Sequence, residues 1–227
     1  MKHLLFIVII LLPFLASCDR NKIPSEGTVE AKIIEYKVEY LKDKVGGIPT
    51  SVLPGKMTLI FADHFALNKI EGFFGQFSLS YIANLKTRKV ISLLKIFDRK
   101  YYYAGEAGEI PSGIDPMYKI NIEKTGNKKE IAGFISEEIR IQTPEGKDFM
   151  IYSTNFDGIK NPNITTPYHK IEDVLLEFYT SLSNMEMKLS ASRIYSMNVE
   201  WSIFHVPDDY KEITQEAMEK TIGELFR

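Results

Sequence analysis

Stretches in which apolar and polar residues alternate one for one recur along this chain, and they leave little choice of secondary structure. Side chains of an extended strand point to opposite faces in turn, so sustained alternation marks a strand with one buried and one wet face. Ile34, Tyr36, Val38 and Tyr40 share one such face, opposite Glu35, Lys37 and Glu39. Phe77, Leu79 and Tyr81 alternate with Gln76, Ser78 and Ser80, and Tyr118, Ile120 and Ile122 with Lys119, Asn121 and Glu123. Met185, Met187, Leu189 and Ala191 alternate with Glu186, Lys188, Ser190 and Ser192. Looser runs cover 56–62, 135–142, 148–154, 174–182 and 198–206, and glycine, proline and asparagine separate many of them, as in hairpins and meanders. Residues 89–97 are apolar on both faces and read equally as a fully buried strand or as a short helix covering the sheet.

Only the C-terminal end carries a helical pattern. Thr214 suits an N-cap, Gln215 and Glu216 the first turn, and Met218, Ile222 and Leu225 recur at helical spacing. The expectation is therefore a mainly β protein of roughly nine or ten antiparallel strands and one terminal helix. Two irregular stretches, 104–117 and 155–170, are long and rich in glycine or proline, as functional loops and edge connections both are.

The N-terminus is of another kind. Met1, Lys2 and His3 precede an uncharged apolar block from Leu4 to Leu12, which has the length of a signal-peptide core and is short for a bilayer span. Leu15-Ala16-Ser17-Cys18 then resembles the lipobox of bacterial lipoproteins at all four positions. That resemblance implies removal of residues 1–17, a diacylglyceryl group on the Cys18 thiol, and acylation of the new amine, commonly with palmitate. An uncleaved N-terminal anchor, or an ordinary secretory signal cut near Ala16, are the alternatives. Cys18 is the single cysteine of the chain, so no intrachain disulfide exists. Two or three acyl chains pass the threshold for stable attachment. Residues 18–27, polar with one proline and one glycine, read as a tether, and 28–227 as a single antiparallel β domain. The expected address is the cell envelope, with the domain in the periplasm or at the cell surface. Asp19 favours inner-membrane retention under the enteric sorting rule, and inner and outer membranes both stay open.

Charge excludes some partners at the level of the whole chain. Beyond residue 17, 27 basic residues face 30 acidic ones, which gives no general electrostatic case for nucleic acid or for anionic lipid. Beyond residue 28 no apolar stretch reaches the length of a transmembrane helix. His64, His169 and His205 lie far apart in sequence, without metal-ligand spacing and without a thiolate, and no phosphate-binding glycine loop or nucleophile elbow occurs. Glu137 and Glu138 fall on opposite strand faces, and Asp208 and Asp209 suit a turn before the helix. The reading is a non-enzymatic protein with no catalytic residue, no metal site and no cofactor.

Aromatic side chains are the remaining clue. Phe61, Phe65, Phe73, Phe74, Phe77 and Tyr81 crowd one region, Gly72-Phe73-Phe74-Gly75 reads as a turn, and Tyr101, Tyr102 and Tyr103 place rings on both faces of a strand. Such residues either fill a core or line a cavity for an acyl chain or other lipid. The phrases 129–134 (Lys-Glu-Ile-Ala-Gly-Phe), 168–178 and 204–210 (Phe-His-Val-Pro-Asp-Asp-Tyr) resemble those of envelope lipoproteins of the GLPGLI and related domain-of-unknown-function families, linked to the LolA/LolB-like carrier fold. The chain departs from that pattern in having Glu172 and Asp173 where many relatives have a glycine, and Ile135 and Ser136 where a cysteine follows. The resemblance implies a curved antiparallel sheet, a LolA/LolB-like half-barrel, with a C-terminal helix. The functional expectation is a membrane-anchored lipoprotein that binds a hydrophobic ligand or lipid on the concave face; the alternative is a structural or protein-interaction module of the envelope.

Overall fold

A computed structural model describes residues 23–225. Cys18, the signal segment and the first half of the tether, residues 18–22, lie outside the described residues. The chain forms β1 (Thr28–Tyr40), β2 (Lys44–Val45), β3 (Ile48–Pro49), β4 (Lys56–Ala62), β5 (Phe65–Gly72), β6 (Phe77–Asn84), β7 (Lys89–Ile96) and β8 (Arg99–Ala104). Then follow β9 (Asn121–Ile131), β10 (Phe134–Gln142), β11 (Asp148–Thr154), β12 (Val174–Leu182), β13 (Met185–Glu200), β14 (Lys211–Glu212) and α1 (Gln215–Leu225). Thr214 caps α1 as its sequence predicts: its Oγ1 accepts the Ala217 N–H at 3.3 Å.

Twelve strands make one sheet in the order β14-β8-β7-β6-β5-β4-β1-β13-β12-β11-β10-β9. β1 sits at the centre. From it the chain meanders outward through β4 to β8, crosses to the far edge at β9, and meanders back inward through β10 to β13. Every pairing is antiparallel except the short β14, which runs parallel to β8. The two edges, β14–β8 and β9, do not meet, so the curved sheet is open and not a closed barrel.

Curvature has a local cause. Register shifts interrupt the β1–β13, β11–β12 and β9–β10 pairings, whereas β4 to β8 pair without one. Each extra residue bends its strand and adds twist, which coils the β9–β13 wing toward the other. Gly126, at φ +83, lies in the β9 irregularity. The exposed edge strand β9 is further protected from pairing by Glu123, Lys124, Lys128, Lys129 and Glu130.

The concave face is the one on which both wings join a single apolar cluster. Ile34, Tyr36 and Val38 of β1 meet Leu59, Leu79, Tyr81 and Leu94 from one wing and Ile139, Ile151, Phe178, Met187 and Leu189 from the other. Two buried tyrosines tie this face together, Tyr36 Oη donating to Leu175 O at 2.6 Å and Tyr81 Oη to Ser112 O at 2.7 Å. A second, smaller cluster covers the convex face of the β4–β7 wing. There Phe65, Leu67, Ile82 and Leu93 pack beneath Trp201, Phe204 and Tyr210, carried by residues 201–210 on their way from β13 to β14.

That strap corrects the expectation of a wet face on β6. Ser78 and Ser80 are buried, because residues 201–210 lie over a face that alternation alone assigns to solvent. Tyr118 is likewise exposed in a loop rather than in a strand, since β9 starts at Asn121. The run at 198–206 divides into the end of β13 and a 3-10 turn, Trp201–Phe204. Residues 89–96 are a strand and not the helix, buried through Ser92, Leu93 and Leu94 and partly exposed toward both ends.

The convex face of the other wing stays polar. Glu177, with a side chain only 12% exposed, takes Lys188 Nζ at 3.1 Å and Lys129 Nζ at 3.2 Å. Burial works to raise the Glu177 pKa, and the two ammonium groups outweigh it, so the carboxyl titrates below its ordinary value of 4.5. A depressed carboxyl stabilises the fold above its unfolded pKa and loses that contribution as pH falls through its folded value. Glu177→Gln is therefore expected to lower the melting temperature at neutral pH, and the gap to wild type should close as the pH drops below 4.5. Thermal unfolding across pH 3–7 checks this, and a gap constant with pH would refute it.

A hollow between the sheet and its own plug

The long connections flagged by their composition fold inward. Residues 155–173 enter the concavity as a plug, with Phe156, Ile164, Tyr168 and Ile171 buried in the main cluster. Polar ties hold the plug. Asn163 Nδ2 donates to Ile171 O at 2.7 Å and to Asp173 O at 2.8 Å, Tyr168 Oη to Tyr179 O at 2.6 Å, and Asn161 Nδ2 to Leu85 O at 3.1 Å. Residues 105–120 cover the same face from the other side through Ile114 and Met117, and α1 adds Met218 and Ile222.

Between sheet and plug remains a cavity of about 50 Å³, walled by Tyr36, Leu59, Leu79, Tyr81, Phe178 and Leu189 among other apolar residues. A single water needs roughly 10–15 Å³ on this measure, so the space admits a few waters or a short chain of carbon atoms. The concave face is thus mostly filled by the protein itself. Its half-buried walls, Met57, Lys69 and Ile70, lie at the start of β4 and the end of β5.

The polar content of this hollow is the notable feature. Asn68 and Thr180 are each only 7% exposed and both line it. Asn68 uses one end of its amide on Thr165 of the plug, while its other end has no hydrogen-bond partner among the described residues. The Thr180 hydroxyl has none either. A buried polar atom without a partner costs about 1–3 kcal/mol, so two in one small cavity call for a group that can satisfy them.

Of the aromatic residues that the sequence places together, Tyr81 lines the cavity, Phe61 and Phe77 pack in the same cluster, and Phe65 belongs to the convex one. Phe73 and Phe74 are exposed in the 3-10 turn Phe73–Gly75, where the Gly72–Gly75 phrase indeed makes a turn. Tyr101 and Tyr103 face the main cluster and Tyr102 the convex one. No sequence signal singles out Asn68 or Thr180; their importance arises from strand register and the plug.

Among the described residues the three histidines lie apart from one another. His64 Nδ1 lies 2.7 Å from Asp63 Oδ2 at the β4–β5 turn, with no serine or threonine among the described residues bonded to the ring. His205 Nε2 meets Pro24 O at 2.9 Å, and His169 lies on the plug with its pKa lowered by burial and by Arg88 and Lys170. Among the described residues no cluster of three or more His, Cys, Asp or Glu is placed to hold a metal ion. Glu137 and Glu138 do point apart: Glu137 pairs with Lys124 at 3.0 Å, while Glu138 accepts from Tyr152, Asn127 and Thr125. Asp208 and Asp209 form the turn expected of them, and Asp209 pairs with Lys100.

No protein-family model matches the chain, and no curated protein does. Among solved structures it is similar to PNGF-II, in a structure in space group C2, at 12% identity and a TM-score of 0.55. The match covers 85% of this chain and 32% of that one, so this chain spans about a third of its length. At that identity the likeness shows the fold alone: a large curved antiparallel sheet on which each chain carries side chains of its own.

Proposed function

We propose that the chain is a non-enzymatic lipoprotein of the cell envelope, held in a membrane through acylated Cys18, whose hollow binds a mainly apolar ligand bearing one neutral polar group. The observation that carries the ligand reading is the pair of unpartnered polar groups, on Asn68 and Thr180, in an otherwise apolar cavity. Both are neutral, the Asn68 amide oxygen accepting and the Thr180 hydroxyl able to donate or accept, and the nearest cation, Lys69, is paired with Glu71 at 2.5 Å. A hydroxyl or an amide suits them; a carboxylate would be buried there without a counter-ion, at a cost that favours the neutral ligand. Only a short part of the ligand fits the cavity, so a longer tail has to pass the half-buried Met57 and Ile70 or displace the plug.

Competition against a neutral solvatochromic dye tests this. Decanol is expected to displace the dye at a concentration at least about tenfold lower than decanoate, the ratio that one buried uncompensated charge readily exceeds. Thr180→Val, which removes the hydroxyl and keeps the shape, should weaken decanol several-fold. A protein that binds neither dye nor alcohol, and carries no lipid into organic extract, would sink the ligand reading. The anchor has its own test: metabolic labelling with palmitate is expected to mark the wild type and to vanish in Cys18→Ser.

A further inference from the structure

We infer that the rim of turns at the Tyr40 end of β1 docks on an anionic lipid surface. β1 runs from Thr28 to Tyr40, and the antiparallel registers bring the start of β4, the end of β5, the starts of β6 and β8 and the end of β7 to its Tyr40 end. The connection 41–55, the turn 73–76 and the turn 97–98 therefore share one rim, while residues 23–27 leave from the other. At about 3.3 Å per residue, the 13 residues of β1 set the two rims roughly 40 Å apart.

The three segments are joined to one another. Phe97 N donates to Gln76 O at 2.6 Å. Gly72 lies so close to Pro54 that a Cβ there would sit 2.5 Å from its Cγ. From this continuous rim the large apolar side chains project: Phe74 is fully exposed, Phe97 is 66% exposed, and Leu41, Val52 and Phe73 are each about half exposed.

Phe73, Phe74 and Phe97 also hold φ values of +52, +55 and +52. Glycine or asparagine adopts that left-handed conformation at lower cost. Arg88, Lys119 and Ala132 hold such values at other turns, but here the residues are aromatic, and the Phe74 ring gains no burial within the fold while Phe97 stays about two-thirds exposed. An apolar surface outside the fold would supply what those two rings lack.

Charge identifies the partner. One step in from the tips, Lys37 stands directly opposite Lys56 and Lys95 directly opposite Lys100, on the convex face. Like charges opposite one another destabilise a sheet. Lys69 and Arg99 add to the set, against Glu39, Glu71, Asp98 and Asp209, of which Glu39 pairs with Lys37 and Asp209 with Lys100, so the rim keeps a basic excess of six cations over four carboxylates in a chain of net charge −2. The whole-chain balance hides this asymmetry. Separate protruding aromatic tips backed by a row of ammonium groups suit a soft apolar phase with anionic headgroups, where the rings enter the interface and the lysines reach phosphate.

The test uses the full-length chain coupled to beads through the thiol of Cys18, which presents this rim outward and needs no acyl anchor. Vesicles of phosphatidylcholine with phosphatidylglycerol are expected to be captured, and vesicles of phosphatidylcholine alone several-fold less. Changing Phe73→Ser, Phe74→Ser and Phe97→Ser together should cut capture at least about tenfold, since each ring withdraws apolar surface from the bilayer. Lys95→Glu with Lys100→Glu should remove the preference for anionic vesicles, as about one interaction per lysine is lost. All variants retain the same N-terminal apolar segment, so it cancels in the comparison. Folding of the phenylalanine variant is checked by its melting temperature, expected to stay close to wild type because Phe74 is fully and Phe97 mostly exposed. Equal capture by wild type and the phenylalanine variant overturns the proposal, as does wild-type self-association in sedimentation that the same variant abolishes without any vesicle capture.

Discussion

Truncating Tyr168 to alanine is expected to lower the unfolding free energy by about 3–5 kcal/mol, the range for removing a fully buried aromatic side chain. The ring is completely buried and stands edge-on to Phe178 at a centroid distance of 6.2 Å. Its hydroxyl donates to Tyr179 O at 2.6 Å, which fastens the plug to β12. Tyr168→Phe separates the two contributions: it keeps the packing and loses one hydrogen bond, so about 1 kcal/mol is expected. Chemical denaturation of the three proteins reads both numbers directly.

The same pair of variants addresses the hollow. If the plug gates it, Tyr168→Ala should bind a neutral apolar dye more tightly than wild type under conditions where both remain folded, because the ring packs on Phe178, a wall of the cavity, and its loss loosens the plug beside it. Tyr168→Phe should bind it as wild type does. Unchanged dye binding in Tyr168→Ala would mean that 155–173 is a fixed part of the core and that any ligand enters elsewhere. The half-buried walls of the cavity, at Met57, Lys69 and Ile70, lie toward the rim that bears the exposed phenylalanines. Docking of that rim on lipid and entry of a lipid-like molecule would then occur at one end of the sheet, although each stands on its own experiment.

Alternation made most strands legible because it reports burial on one face, and one face is what the concave core supplies. β4, β11 and β12 coincide with the expected runs at 56–62, 148–154 and 174–182. β5 is hidden in Phe-Ala-Leu-Asn-Lys-Ile-Glu-Gly, since its first four residues are buried on both faces and the usual polar partners of alternation are missing. The strap 201–210 is invisible for a different reason: its packing on Phe65 and Ile82 is a long-range contact with no local period. The helix was readable to its cap, through Thr214, Met218 and Ile222. The hollow was not. Asn68 and Thr180 are ordinary residues of two strands that meet only when both wings curl around the plug, and the basic rim exists only because hairpins bring distant lysines into register.

Gly113→Ala tests the last closure of the concave face and is expected to cost about 2–4 kcal/mol, from the strain of a left-handed alanine and the overpacking it brings. Gly113 holds φ +83, and a Cβ on it would approach Leu182 Cδ1 to 2.9 Å and Ile222 to 3.0 Å. β12, the loop 105–120 and α1 all meet at this point, so the clash should fall first on the docking of α1. The Gly113 N–H also donates to both carboxylate oxygens of Glu219, at 3.0 and 3.1 Å. Burial holds the Glu219 carboxyl above its usual range, the Gly113 N–H opposes that, and Asp115 and Glu109 raise it further. A carboxyl with a raised folded pKa favours the fold at low pH and loses that contribution as pH rises through the raised value. Wild-type α1 should therefore dock more firmly on acidification toward the ordinary glutamate range, and Glu219→Gln should flatten this dependence. In Gly113→Ala the opposing N–H is pushed away, so the Glu219 pKa should rise further still. Amide exchange in α1 and a carboxyl-carbon titration of Glu219 by NMR measure the two effects, and an unshifted titration in Gly113→Ala would show that the loop and the helix are not coupled through this bond.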